Sequence, residues 1–263
     1  HSGLKIQNND FNRATRASVS TCYGMYSYGR NPAFEFTGNK IHDLGGSPGV
    51  TNFTAYLIYT STFTGSAASP ALIANNAIYN VNNGTSTLYG MYMLTSDTVD
   101  IYHNSLDFNT STATGTGTVY GAFVSGSMNR VNFKNNLISI ASPGTGLKYG
   151  LYNSSTTALI SSDHNGIFLN NPGGSNNFVA GRSATIRFAN FAGWTAATGL
   201  DSNSLNSDPL FVNASAGDLT PGAWGYNNAG AGVFAQVPVD INGAARDTNT
   251  PDVFCQKPSN GCS

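Results

Sequence analysis

The chain is poor in charge: 263 residues carry 12 Lys and Arg against 13 Asp and Glu, the net charge is −1, and Glu35 is the one glutamate. No basic patch exists to collect phosphates, so neither nucleic acid nor an anionic membrane surface is an expected partner. No apolar run approaches the roughly 20 residues needed to cross a bilayer, which argues against membrane insertion. Cysteine is scarce, and no His or second Cys pair stands at ligand spacing, so no metal site is expected. Cys255 and Cys262 flank a short loop containing Pro258 and Gly261; they are candidates for a local disulfide, which would suit an oxidising compartment. Cys22 reads as a small buried hydrophobe rather than a reactive thiol. Gly-x-Ser-x-Gly, phosphate-binding loops and dinucleotide fingerprints are all missing, leaving hydrolase, kinase and dehydrogenase readings without support. Residue 1 is His, with neither an initiator Met nor a leader segment, which reads as a processed or excised piece.

Asn, Ser, Thr and Gly fill the places where Lys and Glu would otherwise stand. Six asparagines, Asn9, Asn39, Asn76, Asn104, Asn136 and Asn165, each precede a large apolar residue by two (Phe11, Ile41, Ile78, Leu106, Ile138, Ile167), at intervals of 28 to 37 residues. Such a recurrence is the signature of a solenoid. Residues alternate on both sides of each asparagine, as in Val99 to Phe108 and Val131 to Ile140, giving two short strands joined by a bend. Asn tolerates the left-handed backbone that the bend requires, and its amide can bond its counterpart one coil on. A second landmark recurs between them: Tyr23-Gly24-Met25-Tyr26, Tyr56-Leu57-Ile58-Tyr59, Tyr89-Gly90-Met91-Tyr92, Tyr120-Gly121-Ala122-Phe123 and Tyr149-Gly150-Leu151-Tyr152. The pattern predicts an all-β solenoid with three strands per coil and an asparagine ladder. Ile6, Phe36, Ile73, Ile101 and Phe133 form one expected core column, and the apolar residues after the asparagines form another.

These coils resemble the right-handed parallel β-helix proteins of the pectin-lyase-like superfamily. Phe191-Ala192-Gly193-Trp194, Thr198 to Leu205, Asp208-Pro209-Leu210-Phe211-Val212 and Asp218-Leu219-Thr220-Pro221-Gly222 look like the closing segment of secreted bacterial members, often from the Bacteroidetes. Asp240-Ile241-Asn242-Gly243, Arg246 and Pro251-Asp252 continue the resemblance. Two departures bear on the cap: Pro251-Asp252 leads into Val253-Phe254-Cys255 rather than Gly-Ala-Tyr-Glu, and Ala223-Trp224 replaces Ser-Pro. Residues 1–184 are expected to form the coils, and 185–263 the last coil and C-terminal cap of the same domain. The resemblance implies an extracellular or bacterial cell-surface location. Leu4 and Ile6 already read as a repeat strand, so the first coil has no cap and implies upstream coils or a partner chain.

Three groups of residues could carry chemistry. Tyr102, Lys134 and Asp163 share an outward column, with Asp100 and Asp107 expected on the same strands. Lyases of the resembled superfamily use a Lys or Arg base and Asp-bound calcium, so Lys134 with Asp100, Asp107 and Asp163 could imitate that catalytic set. The simpler alternative is a surface ion pair of Lys134 and Asp163 on adjacent rungs. His103 and His164 occupy equivalent positions two coils apart and read as turn residues, with His42 elsewhere in its coil. Calcium on Asp240, Asp247 and Asp252 stands against their use as turn caps; no other cofactor is expected. Finally, alternation puts Tyr26, Tyr59, Tyr92, Phe123 and Tyr152 opposite Met25, Ile58, Met91, Ala122 and Leu151. If the aliphatics point inward, the aromatics form an exposed stripe suited to stacking on sugar rings. The alternative covers the stripe with residues 43–55 and 60–71. The expected role is non-catalytic: structural, adhesive or glycan-contacting, with a polysaccharide or another surface protein as partner. The rival is a polysaccharide lyase or glycoside hydrolase acting in a surface groove, for which the paired carboxyl groups would be largely Asp.

Overall fold

The computed structural model describes residues 3–13, 20–45, 52–109, 115–154, 160–170, 176–183, 185–233 and 235–256. Cys262 and the Cys255–Cys262 pairing lie outside them. The chain is a parallel β-solenoid of about five turns, each coil adding one rung to each of three stacks. The first stack is Lys5–Gln7, Glu35–Thr37, Ala71–Ala74, Asp97–Tyr102, Asn129–Lys134 and Ile160–Asp163. Around the asparagine bend, the second is Asp10–Arg13, Lys40–Leu44, Ala77–Val81, Ser105–Asp107, Leu137–Ile140 and Gly166–Leu169. The third holds the Tyr-rich strands Thr21–Arg30, Thr54–Thr64, Leu88–Leu94, Val119–Ser125, Lys148–Asn153 and Asn177–Arg182.

The expected core columns are in register. Ile6, Phe36, Ile73, Ile101 and Phe133 are successive Cα partners, as are Phe11, Ile41, Ile78, Leu106, Ile138 and Ile167. From the second coil on, these side chains are at most 1% exposed. Each contributes about 1.5–3 kcal/mol of burial free energy.

The ladder holds the coils in register. The amide Nδ2 of each asparagine donates to Oδ1 of the next, at 3.0, 3.1, 2.8, 2.9 and 3.2 Å from Asn9 to Asn165. The same Oδ1 also accepts the backbone N–H of the preceding asparagine at 3.0–3.1 Å. The second amide hydrogen reaches a strand carbonyl one coil back, as from Asn104 to Ile73 and from Asn136 to Ile101. One expectation is corrected: the left-handed residue is the one before each ladder asparagine, Asn8, Gly38, Asn75, His103, Asn135 and His164, with φ from 54° to 69°. The ladder residue keeps its side chain inward because its neighbour makes the turn. Those neighbours belong to the residue types that tolerate positive φ best, which also accounts for the two histidines as turn residues.

The ladder ends on Asp201. Its carboxylate, 1% exposed, accepts Asn165 Nδ2 (3.1 Å), Ser162 Oγ (2.9 Å), Ser204 Oγ (2.7 Å) and Trp194 Nε1 (2.9 Å). Trp194 sits in helix α1, Phe191–Thr198, capped by the Asn190 side chain at its start and by Gly199 at φ 73° at its end. Its fully buried indole closes the core, while Ile186–Phe188 pairs antiparallel with the last third-stack strand.

Beyond Leu205 the described residues do not continue stacking. Residues 206–233 and 235–256 fold back along the solenoid over the second stack and the asparagine bend. Ser215 O accepts Asn80 Nδ2, Val239 O accepts Asn75 Nδ2, Ala231 exchanges two bonds with the Asn135 side chain, and Cys255 N–H donates to Ser105 Oγ. The closing segment is therefore a plug at one end followed by a return arm over several coils.

Asn104→Ala should cost about 3 kcal/mol in urea denaturation, because it strands buried partners in the coils on both sides. Asn9→Ala, on the exposed first coil, should cost about 1 kcal/mol or less.

Candidate functional site

Met25, Ile58, Met91, Ala122 and Leu151 are buried, so Tyr26, Tyr59, Tyr92, Phe123 and Tyr152 face outward. A second aromatic column stands beside them: Tyr23, Tyr56, Tyr89, Tyr120, Tyr149 and Phe178. Strict alternation would place residues three apart on opposite faces. Each third-stack strand instead turns two consecutive residues inward, for example Leu57 and Ile58, so that both flanking tyrosines point out. Glycine holds the first inward position in four coils. A Cβ on Gly121 would lie 2.6 Å from Gly150 O and 2.6 Å from Ile138 Cγ2, so this bend needs a bare backbone.

Ring angles define how the columns pack. Successive rings from Tyr23 to Tyr120 are nearly parallel (11°, 4° and 6°) with centroids 4.7–5.1 Å apart. From Tyr26 to Phe123 the angles are 7°, 10° and 10° at 4.8–5.0 Å. Between columns the rings meet edge to face, at 82° for Tyr23–Tyr26 and 89° for Tyr56–Tyr59. Two sets of planes at right angles can both stay in contact at this repeat only if each tilts about 45° from the stacking axis, bringing ring planes about 3.5 Å apart. The result is a herringbone over eight rings, continued by Tyr149, Tyr152 and Phe178 at looser angles of 65° between columns and 29° within one, each contact worth about 0.5–1.5 kcal/mol beyond burial.

This arrangement limits what the stripe can touch. Ring faces cover one another, so the interior coils offer ring edges and hydroxyls, whereas Tyr23 and Tyr26 in the first coil are 46% and 56% exposed. At the other end Tyr149 and Tyr152 are buried, Arg187 lies over the Phe178 ring at 5.4 Å, and its Nε donates to Tyr149 Oη at 2.9 Å. Of the residues expected to cover the stripe, 46–51 lie outside the described set, and 54–64 are a strand of the same stack. Burial, followed by neighbouring phenols, raises the pKa of Tyr56, Tyr59, Tyr89 and Tyr120, the last to about 12. These four phenols are therefore uncharged at neutral pH. None of its six parallel strands contains Asp or Glu.

The four residues of the lyase-like set are dispersed. Asp100 is buried and accepts Tyr102 Oη (3.0 Å) and Asn132 Nδ2 (2.8 Å). Tyr102 is covered by Val233 and Val237 of the return arm. Asp107 is on the second stack, not on the strand of Asp100, because the asparagine bend intervenes. Asp163 neighbours Lys134 in register but accepts two bonds of 2.7 Å from Asn203 and meets His164 Nδ1 at 3.2 Å. Among the described residues no hydrogen bond or ion pair joins any two of Lys134, Asp100, Asp107 and Asp163, so the expected Lys134–Asp163 pair is not formed. Asp240, Asp247 and Asp252 each accept backbone N–H groups of nearby turns.

A polar cluster that sequence reasoning missed lies on the second stack. His42 Nε2 meets Asp10 Oδ1 and its Nδ1 meets Asp43 Oδ2, both at 2.7 Å, while the ring stacks on Tyr79 at 4.7 Å. Its signal was the register that aligns Asn12, His42 and Tyr79. Under the return arm, His103 is fully buried, with Asn135 Nδ2 donating to its Nε2 (3.1 Å) and Asp252 and Phe254 carbonyls nearby. Arg246 Nη2 reaches Asn75 Oδ1 (2.8 Å) and Phe254 O (2.9 Å). Burial and then the Arg246 charge hold the His103 pKa well below 6.5, whereas burial pushes Asp107 up to about 6. Compared with known proteins, the chain matches no family model, no curated protein and no solved structure.

The two shifts act oppositely on stability. Below about 6.5 the unfolded chain protonates a histidine that the native state keeps neutral, so acidification subtracts stability. Between about 6 and 3.8 the native state protonates Asp107 before the unfolded chain does, so acidification adds stability. Asp107→Asn should therefore be favoured over wild type at pH 7 and lose about 2 kcal/mol of that advantage by pH 4, read by urea denaturation across pH. His103→Asn should show the opposite trend.

Proposed function

We propose that the protein is a non-catalytic, extracellular or surface-displayed β-helix module whose tyrosine stripe contacts glycan. The observation that carries this reading is the eleven-ring aromatic stripe on a stack whose strands lack any carboxylate. Phenol hydroxyls alternating with apolar ring edges match sugars, which present hydroxyls beside CH patches. Rigid backing reduces the ordering cost of binding. Carboxylate-based glycoside hydrolysis needs two carboxyl groups placed about 5–9.5 Å apart across the scissile bond. The aromatic strands supply none, and the dispersed contacts of Asp100, Asp107 and Asp163 do not favour a second reading. The low charge of the chain and its likeness to secreted bacterial coils support the extracellular placement.

The test is retention of the full chain on a panel of immobilised neutral and acidic polysaccharides, with and without calcium, while monitoring new chain ends and unsaturated products. Wild type should be retained by at least one polymer without turnover, and Tyr56→Ala with Tyr59→Ala should weaken retention at least tenfold. Turnover abolished by Lys134→Ala or Asp163→Ala would replace this reading with the enzymatic one. Retention unchanged in the tyrosine variants would move the contact elsewhere.

A further inference from the structure

One core column contains a lysine. Cys22, Ala55, Leu88, Val119, Lys148 and Asn177 are successive partners along the third stack. Lys148 is 1% exposed, and its Nζ donates to Gly146 O at 2.8 Å and Gly144 O at 3.3 Å. Among the described residues no carboxylate lies within ion-pair distance of it. A buried ammonium without counter-charge is costly, and two carbonyl bonds leave its third N–H unassigned.

Beside it is a small cavity. The turns leading into the third stack pack backbone on backbone: a Cβ on Gly117 would lie 2.0 Å from Ser86 O, and one on Gly146 2.0 Å from Gly117 O. Between them remains a space of about 20 Å³ lined by Asn83, Ser86, Gly115, Gly117, Ser142 and Lys148 among others. Ser142 is 5% exposed, and its Oγ has no hydrogen-bond partner among the described residues. Lys148 and Ser142, a cation and a hydroxyl, therefore both line a space large enough for one water or one monatomic ion. Water would satisfy the hydrogen bonds but leave the charge uncompensated.

We propose that this cavity is a binding site for a small monovalent anion of halide size, held by the Lys148 ammonium and the Ser142 hydroxyl. The anion supplies the missing counter-charge and ties the turns of three successive coils together. Desolvation, which lowers the proton affinity of Lys148, is opposed by the anion when it is bound. The site is independent of the tyrosine stripe, which lies on the opposite face of the same strands.

The experiment is thermal unfolding of the full chain in sodium chloride, sodium bromide and sodium gluconate at equal ionic strength. Chloride and bromide should raise Tm saturably above gluconate, by about 3 °C at tenfold excess over Kd. Lys148→Met should abolish the difference. If that variant does not fold, Ser142→Ala, which keeps the charge, should raise the half-saturating halide concentration severalfold. Crystals grown in bromide should show an anomalous peak within hydrogen-bonding reach of Lys148 Nζ and Ser142 Oγ. Equal unfolding temperatures in all three salts, an unchanged halide response in the variant that folds, or bromide peaks confined to the surface would overturn the proposal.

Discussion

Register between coils is the constraint on which the rest of this structure depends, and the asparagine ladder enforces it. A coil displaced by one residue would turn its apolar column outward and strand amide groups in the core. Because Asn39, Asn76, Asn104, Asn136 and Asn165 each bond both a neighbouring amide and a strand carbonyl, displacement in either direction loses several bonds at once. Every other column inherits its alignment from this one. The tyrosines stack at about 5 Å only because the rungs do.

The return arm exploits the side of the ladder that faces away from the core. Turn residues that must adopt positive φ have side chains projecting from the bend, and Asn75, His103 and Asn135 use theirs to hold the arm. A position selected by backbone geometry thus acquires a second role in tertiary packing. The cost is a polar interface containing a neutral buried histidine and a cationic Arg246, whose Nε and Nη1 find no hydrogen-bond partner among the described residues. Such interfaces are sensitive to any change that leaves one group unpaired.

Much of the fold was legible because it is periodic. Ile6 to Phe133, Phe11 to Ile167 and the six ladder asparagines could be aligned from spacing alone, and each fell into register. The doublets Asn8-Asn9, Asn75-Asn76 and Asn135-Asn136 hid which member makes the turn, since both are asparagine. Gly38-Asn39, His103-Asn104 and His164-Asn165 held the answer, because in each the first member is a residue tolerant of positive φ. Tyr23, Tyr56, Tyr89, Tyr120 and Tyr149 were visible as a landmark but not as part of the stripe, because two consecutive inward residues break the period of two. The arm was illegible for another reason: its contacts, such as Arg246 with Asn75, join residues 171 positions apart through polar groups that follow no repeat.

The amide-to-amide bonds of the ladder all run the same way, each donated toward the later coil and accepted by a carbonyl that faces the earlier one. Side-chain dipoles aligned head to tail add and polarise one another, as peptide dipoles do along a helix. The electropositive end of this column meets Asp201, whose carboxylate plays the part that an acidic residue plays at a helix N-terminus. The ladder is therefore electrically polar along its length, with its electropositive end met by the Asp201 carboxylate. Coils can be inserted or duplicated only in one orientation, and two copies meeting through like ends would oppose their dipoles. A chain with almost no net charge thus retains a direction.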